Sequence, residues 1–165
     1  MKCFLYISFF LLVFFQNSFA QKEASNWYFG FKAGVNFSSG SPVAVPTGPM
    51  TADEGCATIS DANGNLLFYT NGIEIWNKEH QLMQNGTNLN GEQSTTQAVI
   101  IVPQPGNDSI YYVFTNNTLQ DADGAIWYSV VNMKRNNNLG SVTIKNVRLT
   151  PFTQYPTEKL TAVLH

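Results

Sequence analysis

The sequence predicts an all-β fold. Short runs of β-branched and aromatic residues recur along the chain, and Gly, Asn, Asp and Pro separate them. No window of eleven or more residues keeps apolar side chains at the i, i+3, i+4 and i+7 positions of an amphipathic helix. Similar groups of strands recur at spacings of 41 and 45 residues, which is the repeat length of β-propeller blades.

The first twenty residues predict a secretory signal peptide. Lys2 supplies a positive charge, and Cys3 to Phe15 then form an apolar run of thirteen residues. Small residues follow, so cleavage is expected after Ala20. A helix of thirteen residues spans about 20 Å, too short for a hydrocarbon core of roughly 30 Å, so a membrane anchor is disfavoured. The mature protein, residues 21–165, is expected to be secreted or displayed at the cell surface, with no membrane span.

Residues 21–55 are predicted to contain N-terminal strands and a long loop. Trp27 to Phe31 is aromatic except for one glycine, and Val35 to Phe37 follows it closely. Ser38 to Pro49 is rich in Ser, Pro and Gly and predicts an exposed loop.

Three antiparallel strands are expected at the start of the region 56–165. They are Cys56–Ser60, Leu66–Thr70 and Ile73–Asn77. Asn-Gly pairs lie in both connections, and because Asn-Gly tolerates positive φ at both residues, type I′ hairpin turns are predicted.

A second group of strands follows the same order. Ala98–Val102 is a continuous apolar run, which predicts a strand buried on both faces. Ser109–Thr115, Ala125–Val131 and Ser141–Leu149 complete a four-stranded unit, and Leu160–Val163 is expected to begin another inner strand.

These units favour an incomplete β-propeller of about two and a half four-stranded blades in residues 56–165. Ala57 and Ala98 are 41 residues apart, and Thr70 and Thr115 are 45 apart. A propeller needs at least four blades of about 40 residues, so this interpretation makes the chain a fragment. The alternative is a single β-sandwich of about eight strands, for which 145 mature residues would suffice.

Composition and motifs favour a protein without catalytic activity. Only 12% of residues are charged and the formal net charge is −2, which argues against a nucleic-acid surface. The mature chain has one cysteine, Cys56, and neither a zinc motif nor a cofactor motif. Asp53 and Glu54 could form a carboxylate pair for glycoside hydrolysis, but adjacent acids on a loop are more often solvated surface.

The loop Asp61–Asn65 begins like a calcium-binding loop, with oxygen-bearing side chains at alternate positions. Leu66 stands where the sixth-position glycine is needed, and Gly72 where the bidentate carboxylate is needed. A hairpin turn is therefore the favoured interpretation, and no metal site is predicted.

Several segments of this chain carry a resemblance in order along the sequence. They are Trp27 to Gly30, Gly34 to Val43, Glu54 to Gly72, Ile75 to Asn77, Met83 with Asn85 and Gly86, Ser94 to Pro103, Ile110 to Thr115 and Glu158 to Val163. Together they resemble the N-terminal region of large secreted surface proteins of Bacteroidetes. These are gliding-motility-associated or PKD-domain-containing cargo of the type IX secretion system.

The resemblance implies a propeller-like N-terminal region followed by PKD or similar repeats and a C-terminal sorting domain. This sequence stops at His165 without those later regions, so the resemblance implies a truncated protein. It supplies no catalytic residues.

A ligand-binding hypothesis follows from propeller geometry. Inner strands line the central channel, and the loops leading into them surround its mouth, where ligands often bind. The aligned alanines of the inner strands are Ala57, Ala98 and Ala162. The residues three positions before them are Glu54, Thr95 and Lys159. We expect these side chains to converge there in a binding or scaffold module whose partner is a surface glycan or a cell-envelope protein. Two alternatives remain: a self-contained lectin-like or adhesin-like β-sandwich, and a truncated part of a carbohydrate-acting enzyme.

Overall fold

The structure is a computed structural model that describes residues 22–45, 48–117, 124–151 and 156–163. The predicted signal peptide and its cleavage site lie outside the described residues. The described residues include no helix with the length and apolar character of a membrane span.

The described residues form ten strands in three antiparallel sheets, so the all-β prediction is confirmed. The N-terminal sheet contains β1 (Asn26–Phe29), β2 (Ala33–Asn36) and β3 (Val43–Ala44). The central sheet contains β4 (Ala57–Ser60), β5 (Leu66–Thr70) and β6 (Ile75–Asn77). The C-terminal sheet contains β7 (Val99–Pro103), β8 (Ile110–Asn116), β9 (Ile126–Asn132) and β10 (Ser141–Arg148). Two short 3-10 turns, Lys22–Ala24 and Asn136–Asn138, complete the secondary structure.

The three sheets stack as layers, because the central sheet is apolar on both faces. Successive side chains of a strand point to opposite faces. On β5, Phe68 packs against Tyr111 of the C-terminal sheet, with ring centroids 5.5 Å apart. The next residue, Tyr69, stacks on Tyr28 of the N-terminal sheet at 4.5 Å. The layered core therefore differs from a two-sheet sandwich, in which each sheet buries one face.

Two apolar cores separate the three layers. The core between the central and C-terminal sheets contains Ile59, Phe68, Ile75, Met83, Leu89, Val99, Tyr111, Val113, Val131, Met133 and Val142. The core between the N-terminal and central sheets contains Tyr28, Met50, Tyr69 and Trp76.

The first strands of the three sheets lie side by side. The backbone N–H of Tyr28 on β1 donates to Oγ1 of Thr58 on β4 at 3.0 Å, and the Thr58 hydroxyl donates to the Tyr28 carbonyl at 3.3 Å. β4 in turn contacts β7. The segments that lead into β4 and β7 meet at one end of the stack, where the Gly55 N–H donates to the Thr95 carbonyl.

The central sheet has only a trace of a fourth strand. Beyond β6 the chain turns back, and the Met83 N–H donates to the Ile75 carbonyl at 2.8 Å. A single antiparallel bridge joins Trp76 to Leu82. The C-terminal sheet, by contrast, has four full strands in sequential order.

The predicted type I′ turns are wrong. Type I′ needs positive φ at both central residues, and in these turns only the glycines, Gly64 and Gly72, have it, each at 89°. Asn71 instead turns the chain with its side chain, since its Oδ1 accepts from the N–H groups of Ile73 at 3.0 Å and Glu74 at 2.9 Å. Such a side-chain cap satisfies the turn without positive φ at the asparagine.

Two further expectations need correction. The predicted loop 38–49 contains β3, which pairs with β2 through two residues. β7 is not buried on both faces, because only the face that carries Val99 and Ile101 packs against the core shared with the central sheet. Val99 is buried, but Ile100 and Val102 are only half-buried.

The strand expected over 160–163 is absent from the described residues, where this segment has no regular structure. A strand is defined by a ladder of hydrogen bonds to a neighbour, and no described strand pairs with these residues. The apolar run alone therefore does not make a strand.

The two multi-stranded units are similar meanders rather than exact repeats. Ala57 lies opposite Thr70, whereas Val99 lies opposite Thr115, so Val99, not Ala98, is the register equivalent of Ala57. A one-residue difference in register exchanges the two faces of a strand. The sequence spacings of 41 and 45 residues therefore do not both mark equivalent positions.

Candidate functional site

The segments that lead into β4 and β7 lie against each other at one end of the stack. The Glu54 N–H donates to the Gln93 carbonyl at 3.2 Å, and the Gly55 N–H donates to the Thr95 carbonyl at 3.3 Å. Two of the three predicted site residues therefore stand on adjoining segments.

Residues 156–163 join the same end of the molecule. The Gln97 N–H donates to the Glu158 carbonyl at 3.1 Å, and the Leu160 N–H donates to Oε1 of Gln97 at 2.8 Å. The Glu158 carboxylate accepts a hydrogen bond from the Thr96 hydroxyl at 3.1 Å. Lys159 lies between Glu158 and Leu160, which both contact Gln97, so it is close in space to the segment that carries Thr95. We call the place where the segments before β4 and β7 meet residues 156–163 the lead-in surface.

The three predicted side chains do not form one group. Glu54 and Lys159 are exposed, and among the described residues no ion pair joins them. Thr95 is fully buried, and its hydroxyl has no hydrogen-bond partner among the described residues. The lead-in surface therefore presents two charged side chains of opposite sign, while Thr95 belongs to the interior. Asp53 is also exposed and lies beside Glu54. The two adjacent carboxylates are therefore part of the solvated surface.

Glycines allow the lead-in segments to approach so closely. A Cβ on Gly55 would collide with the backbone nitrogen of Ala98, and a Cβ on Gly91 would collide with the carbonyl oxygen of Gly72. Only glycine leaves room for such backbone contacts. Neither position is predicted from the sequence, because a glycine gives no local signal of the backbone that it approaches in the fold.

An aromatic groove of about 300 Å³ runs between β1 and β4. Trp27 and Phe29 lie along it and are 52% and 41% exposed. Cys56 also lines the groove, and its thiol donates to the Tyr28 carbonyl at 3.5 Å. Burial raises the pKa of the Cys56 thiol, and a backbone hydrogen bond from Gly30 opposes this only in part. The groove therefore offers ring faces for stacking and a thiol that stays protonated at neutral pH.

A covered aromatic cluster lies behind this groove. Tyr69 is fully buried between Tyr28 and Trp76, and its hydroxyl lies 3.1 Å from Nδ1 of His80. Burial, followed by the neighbouring Tyr28, raises the pKa of Tyr69 well above the ordinary phenol range. These tyrosines are consequently protonated at physiological pH and serve packing and hydrogen bonding.

The Asp61–Asn65 loop forms a hairpin turn, as favoured from the sequence. The Asp61 carboxylate accepts from the N–H groups of Asn63 and Asn65, both at 2.9 Å, and from the Asn65 side chain at 3.0 Å. Partial burial raises the pKa of Asp61, but these hydrogen bonds outweigh it and the net pKa is lowered. Within the described ranges, no group of three or more His, Cys, Asp or Glu residues is placed to hold a metal ion.

Comparisons with protein-family models, curated proteins and solved structures found no match to this chain. Its function is therefore inferred from the geometry described above and from the sequence.

Proposed function

We propose that this chain is a non-enzymatic binding or scaffold module of a secreted or cell-surface protein. The observation that supports this proposal is the lead-in surface, where segments before two sheets and residues 156–163 meet and expose Glu54 and Lys159. Loops gathered at one end of a rigid β-scaffold are a common location for ligand recognition. The partner is a surface glycan or a cell-envelope protein.

We further propose that the three sheets are consecutive blades of a β-propeller. Three features support it: each sheet is a sequential meander, the first strands lie side by side, and the central sheet is covered on both faces. The resemblance to Bacteroidetes surface proteins agrees with this architecture. In this proposal the chain supplies the opening blades of a larger surface protein that is type IX secretion cargo.

The aromatic groove favours a glycan over a protein partner. Trp27 and Phe29 are on the same face of β1, because they are two residues apart, and both are about half exposed. Two exposed rings next to polar loops form an amphipathic surface of the kind that pyranose rings stack upon. A lectin-like activity is accordingly the second candidate, and it requires the groove rather than the lead-in surface.

The test is binding of purified residues 21–165 to an array of bacterial and plant polysaccharide fragments. The double variant Glu54→Gln/Lys159→Met removes both charges at the lead-in surface and keeps the side-chain lengths. The matched control, Glu23→Gln/Lys134→Met, removes one charge of each sign at the opposite end, near the β4–β5 and β7–β8 turns.

We expect the first variant to lose binding by about tenfold or more, equivalent to about 1.4 kcal/mol, and the control to bind like the wild type. Trp27→Ala distinguishes the lectin-like candidate, because it should abolish binding only if the groove holds the ligand. Equal effects of the two double variants, or no binding to any fragment or to cell-envelope preparations, would contradict the proposal.

A further inference from the structure

We infer that the outer face of the C-terminal sheet is a docking surface for a further antiparallel sheet of the same polypeptide, which residues 156–163 lead into. The outer face is the one turned away from the central sheet. Its side chains include Ile100, Val102, Tyr112, Phe114, Tyr128 and Ile144. This inference rests on the stacked sheets of the proposed architecture and is independent of what the lead-in surface binds.

The outer face is apolar and belongs to neither core. Tyr111 and Val113 of β8 point into the core against the central sheet, so Tyr112 and Phe114 point the other way. The rings of Tyr112, Phe114 and Tyr128 lie 6.1 to 6.3 Å apart and form one aromatic cluster. These rings are half-buried and Ile144 is 47% exposed. None of the described sheets covers this aromatic cluster, and its composition is that of a sheet interface rather than of solvent-facing surface.

The hydrogen bonds of residues 156–163 repeat those that place the C-terminal sheet against the central one. Gly55, two residues before β4, donates its N–H to the carbonyl of Thr95, four residues before β7. Gln97, two residues before β7, donates its N–H in the same way to Glu158. By this correspondence a strand would start four residues after Glu158, at Ala162.

The direction of residues 156–163 agrees with that correspondence. Ala162 and Val163 line a groove of about 600 Å³ together with the edge strand β7 and the turn that follows it. Val163 is 82% exposed there. An apolar segment lying beside an edge strand, but without its own ladder, is placed to begin the sheet that would cover the outer face.

The hydrogen bonds of residues 156–163 argue for a covalently linked sheet rather than a second copy of the chain. Glu158 already accepts from Gln97 the hydrogen bond that Thr95 accepts from Gly55.

Thiol labelling of Ile144→Cys tests the inference. The background is Cys56→Ala in a chain that begins at residue 21, so that the introduced thiol is the only one. The chain ending at residue 165 is compared with the same chain extended by about 45 residues of the following reading frame, the length of one four-stranded unit. Leu82→Cys is the matched control, because the native Leu82 side chain is 49% exposed and lies away from the outer face.

In the extended protein we expect Ile144→Cys to react at least about tenfold more slowly, since a covered thiol reacts only after local opening. Leu82→Cys should react at the same rate in both proteins. Thermal melts of the variants exclude misfolding as the cause of any difference. The inference is overturned if no such frame follows, if the extension leaves Ile144→Cys equally reactive, or if protection in the short chain rises with protein concentration. The last outcome would assign the face to a second copy.

Discussion

The hydroxyl of Tyr69 lies 3.1 Å from Nδ1 of His80, and the Tyr69 ring stacks on Tyr28 at 4.5 Å and on Trp76 at 5.7 Å. Gly48 passes so near that hydroxyl that any Cβ would collide with it. Tyr69 thus links the N-terminal sheet, the central sheet and the turn after β6 through one side chain.

The Tyr69→Phe variant should lose about 1 kcal/mol of unfolding free energy, because it removes this hydrogen bond but keeps the ring packing. Urea unfolding followed by tryptophan fluorescence measures the loss. Tyr112→Phe, on the outer face of the C-terminal sheet, has no described hydrogen bond to lose and should match the wild type. Equal stability of all three proteins would show that the Tyr69–His80 contact is not stabilising.

Alkaline pH should destabilise the fold. Burial raises the pKa of Tyr28, Tyr69 and Tyr111, and for Tyr111 the carboxylates of Asp108, Asp61 and Glu23 raise it further. In the unfolded chain these phenols ionise near pH 10. Their contribution to stability is therefore complete below about pH 10 and is lost as the pH rises toward the folded-state pKa values. The free energy of unfolding should fall as the pH is raised from about 8 to about 12, and it should fall less steeply in the Tyr69→Phe variant. A flat profile would contradict this prediction.

Thr115→Val should leave stability unchanged or raise it by up to about 1 kcal/mol, because the buried Thr115 hydroxyl has no hydrogen-bond partner in the part of the chain that the structure describes. Thr70→Val is the contrasting variant. The Thr70 hydroxyl donates to the Glu74 carbonyl at 2.7 Å and accepts from the Gly72 N–H at 2.9 Å. Loss of this hydroxyl leaves the Gly72 N–H and the Glu74 carbonyl without these bonds, and we expect the free energy of unfolding to fall by about 1–3 kcal/mol. Thermal melts of both variants provide the comparison, and a larger loss in Thr115→Val would refute it.

Gly55→Ala should destabilise the protein by about 3 kcal/mol, since a new Cβ would overlap the backbone of β7's lead-in segment at Ala98. Gly106→Ala separates crowding from backbone strain. Gly106 has a φ of 73° and no atom within 4 Å of an added Cβ, so only the left-handed conformation should cost energy, about 1 kcal/mol. Denaturant unfolding of both variants tests the difference. A smaller loss of stability in Gly55→Ala than in Gly106→Ala would contradict the close approach of Gly55 to the backbone at Ala98.

Local patterns in the sequence predicted most strand positions. β5 and β8 follow their predicted ranges to within one residue at each end, because aromatic and β-branched runs bounded by turn residues describe a strand without reference to the rest of the chain. The short β3 was missed because a two-residue strand has no periodicity to detect.

The candidate site was predicted less well. The position of the lead-in segments follows from strand order, and Glu54 and Lys159 are exposed in them. The burial of Thr95 does not follow from the sequence, because it depends on how the segment before β7 packs against Gly55. The glycines that permit that packing give no local signal of the backbone they approach.

The sequence by itself determined that the chain is all-β, where most strands begin and end, and that sequential strands pair as antiparallel meanders. These properties depend on side-chain alternation and turn chemistry within a few residues. Only the tertiary structure decided that the central sheet is buried on both faces, that β7 is at the edge of its sheet, and that Tyr112 and Phe114 lie on a face that no described sheet covers. Those properties depend on which sheet packs on which, and a one-residue change of register is enough to exchange the faces.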